Sequence, residues 1–149
     1  MKGTLLVVDD EKGIRETLKN LLEDEGYYVK TADSIESTKR LIQAEYFHAV
    51  ILDVWLPDGD GISFLSQIKT YLPDTSIIVI TGHGKVEHAV KAIKGGAYDF
   101  IEKPFSMERL LLTVERAVQE VLRKRAEKTD EDELIGNSIL KLFLNSRRP

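Results

Sequence analysis

Five short apolar runs recur along the chain, each separated from the next by a stretch long enough for a helix, and this alternation constrains the fold more than any other feature. The runs are Leu5 to Val8, Tyr27 to Thr31, Ala49 to Leu52, Ile77 to Ile80 and Tyr98 to Ile101. The first, third and fourth are almost continuously apolar, the pattern of strands covered on both faces of a parallel sheet, whereas Tyr27 to Thr31 is mixed and predicts an edge strand. The segments between them carry helically spaced stripes: Ile14, Leu18, Leu21 and Leu22; Ile62, Leu65 and Ile68; Val86, Ala89, Val90 and Ile93. Each stripe is expected to cover a sheet face. The pattern is (βα)5. Right-handed crossovers turn that order into a doubly wound α/β sheet, in which ligands bind beyond the carboxyl ends of the strands near the topological switch point.

A chain of 149 residues has room for one compact domain and a short extension. With 42% hydrophobic residues, 31% charged residues and a net charge of −4, it reads as an ordinary globular protein, and direct contact with DNA is not expected. The absence of cysteine excludes disulfides and thiol chemistry. No basic-flanked apolar leader and no bilayer-length apolar run is present, which predicts a cytoplasmic protein with no membrane association.

The polar residues that follow the strands are of matching kinds. The first run ends in Asp9 and Asp10, the third in Asp53 and the fourth in Thr81, while Lys103 and Pro104 lie just past the fifth. Three carboxylates, a hydroxyl and an ammonium are therefore expected to converge on one small site. Packed carboxylates resist ionising together unless a cation neutralises them, and an all-oxygen set suits Mg2+. With Asp9, Asp10 and Asp53 around such an ion, one oxygen of Asp53 remains to attack a phosphorus atom. Lys103 and Thr81 would stabilise charge on the phosphoryl oxygens, so that no general base is needed. An aspartate after a strand is commonly only a helix cap or turn residue. A structural Lys103 to Asp53 salt bridge would account for two of these residues but would leave Asp9 and Asp10 unneutralised.

Val7-Val8-Asp9-Asp10-Glu11, the stretch Asp53-Val54-Trp55-Leu56-Pro57-Asp58-Gly59-Asp60-Gly61, Thr81-Gly82 and Lys103-Pro104-Phe105 together resemble the motif set of bacterial response-regulator receiver domains. The likeness covers roughly residues 4 to 120. It implies the flavodoxin/CheY-like fold, with strand order 2-1-3-4-5 and an extended C-terminal helix. It also implies that Asp53 is the phosphoacceptor of a sensor histidine kinase, that Asp9 and Asp10 are the acidic metal pair and that the backbone carbonyl of Trp55 is a further Mg2+ ligand. Thr81 and Lys103 would contact the phosphoryl group, and Phe100 would be the switch aromatic that turns inward as Thr81 moves. By the same resemblance the Lys103 to Pro104 peptide is cis, and Trp55 and His83 influence how long the aspartyl phosphate survives.

Other signals are weaker. Gly82-His83-Gly84 lacks the rest of a Rossmann fingerprint or P-loop. Asp58-Gly59-Asp60-Gly61 lacks the register of a calcium loop and reads as a tight turn into the next helix. His83 and His88 have no third ligand in sequence and read as ordinary histidines.

Ser106 is placed to cap a helix running to about Lys128, several residues longer than the sheet requires. Apolar spacing through Leu110, Val114, Val118, Val121 and Leu122 suggests that this helix and its linker pair with a second chain as a homodimer, against the alternative of a fraying end. Asp130 to Glu133 then reads as linker. Leu134-Ile135-Gly136-Asn137-Ser138 resembles the opening of the AAA+ ATPase domain of sigma-54-dependent activators of the NtrC/NtrX class. The expected division is a receiver at 1–122, a helical linker and ATPase start at 123–138, and a tail at 139–149 that reads as a truncation scar or vector-encoded segment. By resemblance, phosphorylation alters the surface of the fourth helix, fifth strand and last helix, and gates AAA+ and DNA-binding domains elsewhere in the protein. Slow self-dephosphorylation, without conventional substrate turnover, is expected. The alternatives are a Mg2+-dependent phosphatase that forms an aspartyl phosphate, and a receiver acting alone by binding a partner.

Overall fold

A computed structural model describes residues 1–82 and 85–146, with side chains described except at 130–133 and 145–146. The strands are β1 (Thr4–Val8), β2 (Tyr28–Ala32), β3 (Ala49–Asp53), β4 (Ser76–Thr81) and β5 (Asp99–Glu102). Helices α1 (Lys12–Asp24), α2 (Ile35–Ala44), α3 (Gly61–Tyr71), α4 (Val86–Lys94) and α5 (Met107–Ser146) follow them in turn. A two-residue ladder, Trp55–Leu56 against Gly59–Asp60, stands apart from the main sheet. All five strands are parallel and lie in the order β2-β1-β3-β4-β5, with the mixed run at the edge as its composition predicts.

Side chains of a strand alternate between faces, and here each face has its own core. Leu6, Val8, Val50, Leu52, Ile77 and Val79 pack under α2, α3 and α4 with Ile42, Phe64, Leu65, Ile68 and Ala92. On the other face, Leu5, Val7, Ala49, Ile51, Ile78 and Ile80 meet Leu18 and Leu22 of α1 and Leu110, Val114 and Val118 of α5. The alternation explains why these strands read as continuous apolar runs: neither face is left to water.

Two sequence expectations change here. Val86, Val90 and Ile93 do not cover the sheet; they are 79%, 45% and 51% exposed, and α4 is seated through Ala92. A three-turn stripe fixes the bearing of apolar residues relative to one another, but not which side of the helix meets the core. The converse holds for α5. Leu110, Val114, Val118 and Val121, expected at a dimer seam, are all buried within the single chain, the first three against the sheet. Those four side chains are core residues and are unavailable to a partner.

Helix α5 starts as expected, with the Ser106 hydroxyl accepting from Arg109 N at 3.0 Å. It then runs 40 residues without a break, through the segment read as a linker, to Ser146. Nothing between Met107 and Ile135 interrupts it: there is no proline or glycine, and Leu, Glu, Lys, Arg and Ala dominate. Arg125 ties it to the domain, with its guanidinium 4.3 Å from the centre of the Tyr46 ring. Past that point its apolar residues, among them Ile135, Ile139 and Leu142, are exposed. No helix among the described residues is long and apolar enough to cross a membrane.

Candidate metal and phosphoryl site

Strand register assembles the site. Val8 lies opposite Leu52, Asp53 opposite Ile80, and Thr81 opposite Glu102. Asp9, Asp53, Thr81 and Lys103 therefore fall in one row at the carboxyl edge of the sheet, where the polar chain ends escape the apolar layers. Asp9, Asp53 and Thr81 are buried, and Asp10 is exposed beside them. One carboxylate oxygen from each of Asp9, Asp10 and Asp53 lies within 4.8 Å of the others, the only such group of three among the described residues. Lys103 Nζ reaches Asp9 Oδ2 at 3.1 Å and Asp53 Oδ2 at 3.8 Å. The cleft over these groups, about 250 Å³, is lined by Asp10, Glu11, Asp53, Trp55, Gly82 and Lys103.

Backbone contacts hold the row in place. Glu11 N donates to Asp9 Oδ1 at 2.9 Å, and Arg15 Nη1 to the Asp9 carbonyl at 2.8 Å. Trp55 N donates to Asp53 Oδ1 at 3.4 Å. Lys103 N donates to the Thr81 carbonyl at 2.8 Å, and the Lys103–Pro104 peptide is cis. At Gly61 an added Cβ would stand 2.3 Å from the Asp53 carbonyl oxygen, so the chain can pass behind the site only as glycine.

The electrostatics are unbalanced. Burial, reinforced by Asp9, pushes the Asp53 carboxyl up from 3.8 to about 6, although Lys103 pulls the other way. One ammonium thus falls short of neutralising the cluster. The donor set is all oxygen, which matches a hard divalent cation such as Mg2+ and not a softer metal. The residues present therefore fit the ion.

The row brings together Asp9, Asp10, Asp53, Thr81, Lys103 and Trp55. Phe100 is half-buried, packed against the core under α4. His83 lies outside the described residues. His88 accepts from Lys85 N at 3.2 Å and sets its ring edge-on to Trp55 at 5.5 Å, with no metal-binding company among the described residues. The tight turn expected at Asp58 to Gly61 is present, and Asp60 caps α3 by accepting from Ile62 N at 2.8 Å. Neither the Arg15 contact with the Asp9 carbonyl nor that of Asp58, whose carboxylate accepts from Ile35 N and Glu36 N, was read from sequence, because each reaches a backbone group that no local pattern predicts.

The family described as "Response regulator receiver domain" matches residues 5–115. Among curated relatives, a "Putative response regulator NtrX-like" from Rickettsia bellii is 40% identical over 93% of this chain and 30% of its own length. The "Nitrogen assimilation regulatory protein NtrX" of Azorhizobium caulinodans is 44% identical over 85% of this chain and 28% of its own length. The chain thus spans less than a third of these relatives. Among solved structures, the beryllofluoride-activated NtrC4 receiver domain dimer is 52% identical and superposes with a TM-score of 0.77, covering 81% of this chain and 99% of that one.

Proposed function

The chain belongs to the response-regulator receiver family, and on that premise we propose that Asp53 is its phosphoacceptor, with Mg2+ held by Asp9, Asp10, Asp53 and the backbone carbonyl of Trp55. The observation that carries this reading is the placement of Asp53: buried, short of counter-charge, yet opening on a cleft rimmed by two further carboxylates and Lys103. When bound, the metal supplies positive charge that lets the three carboxylates ionise together and offsets charge on the phosphoryl oxygens. An oxygen of Asp53 attacks the phosphorus of the donor, the new O–P bond forms, and the donor's O–P or N–P bond breaks with its electron pair leaving on the donor. Lys103 and Thr81 hold the equatorial oxygens by charge and hydrogen bonding. Phe100 packs inward as Thr81 engages the phosphoryl group, and Trp55 and His83 set the lifetime of the acyl phosphate.

The donor is a sensor histidine kinase, and the output belongs to a sigma-54-dependent AAA+ activator of which this chain is the regulatory part. The relatives' greater length and the Leu134 to Ser138 motif support that context. Pairing with a second copy runs through the part of α5 and its linker beyond Val121, where Leu122, Leu134 and Ile135 are exposed. The division into receiver, linker and tail at 122 and 138 is carried forward in the same sense.

Intact mass after incubation with a small phosphoryl donor tests the reading. One phosphoryl adduct that needs Mg2+ and is lost in Asp53→Ala is expected. No adduct would refute it, and continuous consumption of the donor would point instead to an aspartyl-phosphate phosphatase.

A further inference from the structure

The first turn of any α-helix carries backbone N–H groups with no partner inside the helix. In α2 these groups are satisfied from two directions. The Ser34 hydroxyl accepts from Ser37 N at 3.1 Å, the local cap that a serine at this position provides. The other two come from far along the chain: Ile35 N and Glu36 N donate to Asp58 Oδ1 and Oδ2 at 2.8 and 3.0 Å. These amides hold the Asp58 carboxyl below its usual value, so it is charged at neutral pH.

Asp58 stands at the tip of the small hairpin that carries Trp55. At its base the hairpin is anchored by Gly61 N donating to the Val54 carbonyl at 2.7 Å. Along its length Trp55 pairs with Asp60 and Leu56 with Gly59. At its tip it lies hard against α2, where a Cβ on Gly59 would meet Ile35 Cδ1 at 2.7 Å. Between the two anchors sits Trp55, whose N–H donates to Asp53 and whose side chain rims the acidic cleft.

We propose that Asp58 is a positioning residue: its carboxylate ties the hairpin to the first turn of α2 and thereby fixes the Trp55 backbone at the acidic site. The inference rests on the reading that Asp9, Asp10, Asp53 and Trp55 hold Mg2+. Outer groups that orient a metal's ligands act on affinity without touching the ion, and a two-point tether leaves the hairpin little freedom to tilt. A cap that merely stabilised α2 would have no such reach. Ser34 provides the control, because it caps the same helix turn without touching the hairpin.

The experiment is a Mg2+ titration of the full chain followed by fluorescence of Trp55, its only tryptophan, in wild type, Asp58→Ala, Asp58→Asn and Ser34→Ala. Thermal unfolding of the same samples checks that each is folded. Asp58→Ala is expected to weaken Mg2+ binding about 10-fold, the low end of outer-shell effects. Asp58→Asn, which keeps one acceptor, should fall between, and Ser34→Ala should match wild type despite losing a comparable cap. Equal affinity in wild type and Asp58→Ala, or an equal loss in Ser34→Ala, overturns the positioning role while leaving the metal reading intact. A wild-type chain that binds no Mg2+ overturns both.

Discussion

Replacing the acceptor aspartate should make the metal-free protein more stable. The carboxyl of Asp53 lies at about 6 in the fold against an ordinary 3.8. At about 1.4 kcal/mol per pH unit, ionising it in the folded state costs about 3 kcal/mol at neutral pH. Asp53→Asn removes that cost, retains an oxygen for the Trp55 N–H, and leaves Lys103 its closer contact with Asp9 at 3.1 Å. That cost is already net of the Lys103 attraction, so the gain is about 3 kcal/mol. For a chain of this size that is a rise of about 6–12 °C in Tm. The sign follows from linkage. An acid raised in the fold penalises stability fully above its folded value, and the penalty disappears as pH falls towards its unfolded value. The gain should therefore be complete at pH 7.5, shrink between about pH 6 and pH 4, and vanish below. Excess Mg2+ should narrow it by stabilising wild type more than the variant. Thermal melts with a chelator and with Mg2+, at several pH values, measure all of this. A variant no more stable than wild type at pH 7.5 without metal, or a gain indifferent to pH, would refute the electrostatic argument.

Three other outcomes follow from the packing. Leu110→Ala, in the core beneath α5, should cost about 2–5 kcal/mol in denaturant unfolding of the monomer, whereas a seam residue would leave the monomer unchanged. Gly61→Ala would place a methyl 2.3 Å from the Asp53 carbonyl oxygen; we expect a folded or nearly folded protein whose phosphoryl adduct, read by intact mass, is reduced about 10-fold or more, as misplacement at a reacting centre entails. Ile135→Asp, on the exposed part of α5, tests the proposed pairing: sedimentation should move towards monomer, with the melting of the domain unmoved.

Much of the site is legible in sequence because parallel strands buried on both faces end abruptly in charge. Asp9 and Asp53 each follow a continuously apolar run, Lys103 lies just past the more mixed β5, and register then aligns them. The edge position of β2 was read from the same runs, whereas the full strand order came from the family resemblance. What escaped is relational. The stripes of α4 and α5 are equally periodic, yet one lies open to solvent and the other in the core. Periodicity reports the angle between residues, and only the neighbouring elements decide which side is covered. The end of α5 was misplaced because charge at Asp130 to Glu133 was taken for a linker, although acidic residues are compatible with an exposed helix. Asp58 was legible as a turn residue but not as the cap of a helix 22 residues upstream, since no local spacing encodes that contact.

The central claim is that Asp53, and no other acidic residue of the cluster, becomes the acyl phosphate. Its most direct test is to phosphorylate the chain with a small donor and Mg2+, reduce the product with borohydride, and map the reduced residue by peptide mass. The account predicts homoserine at position 53 alone, absent when Mg2+ is chelated. Reduction at Asp9 or Asp10, or at no position despite a phosphoryl adduct on the intact chain, would contradict it.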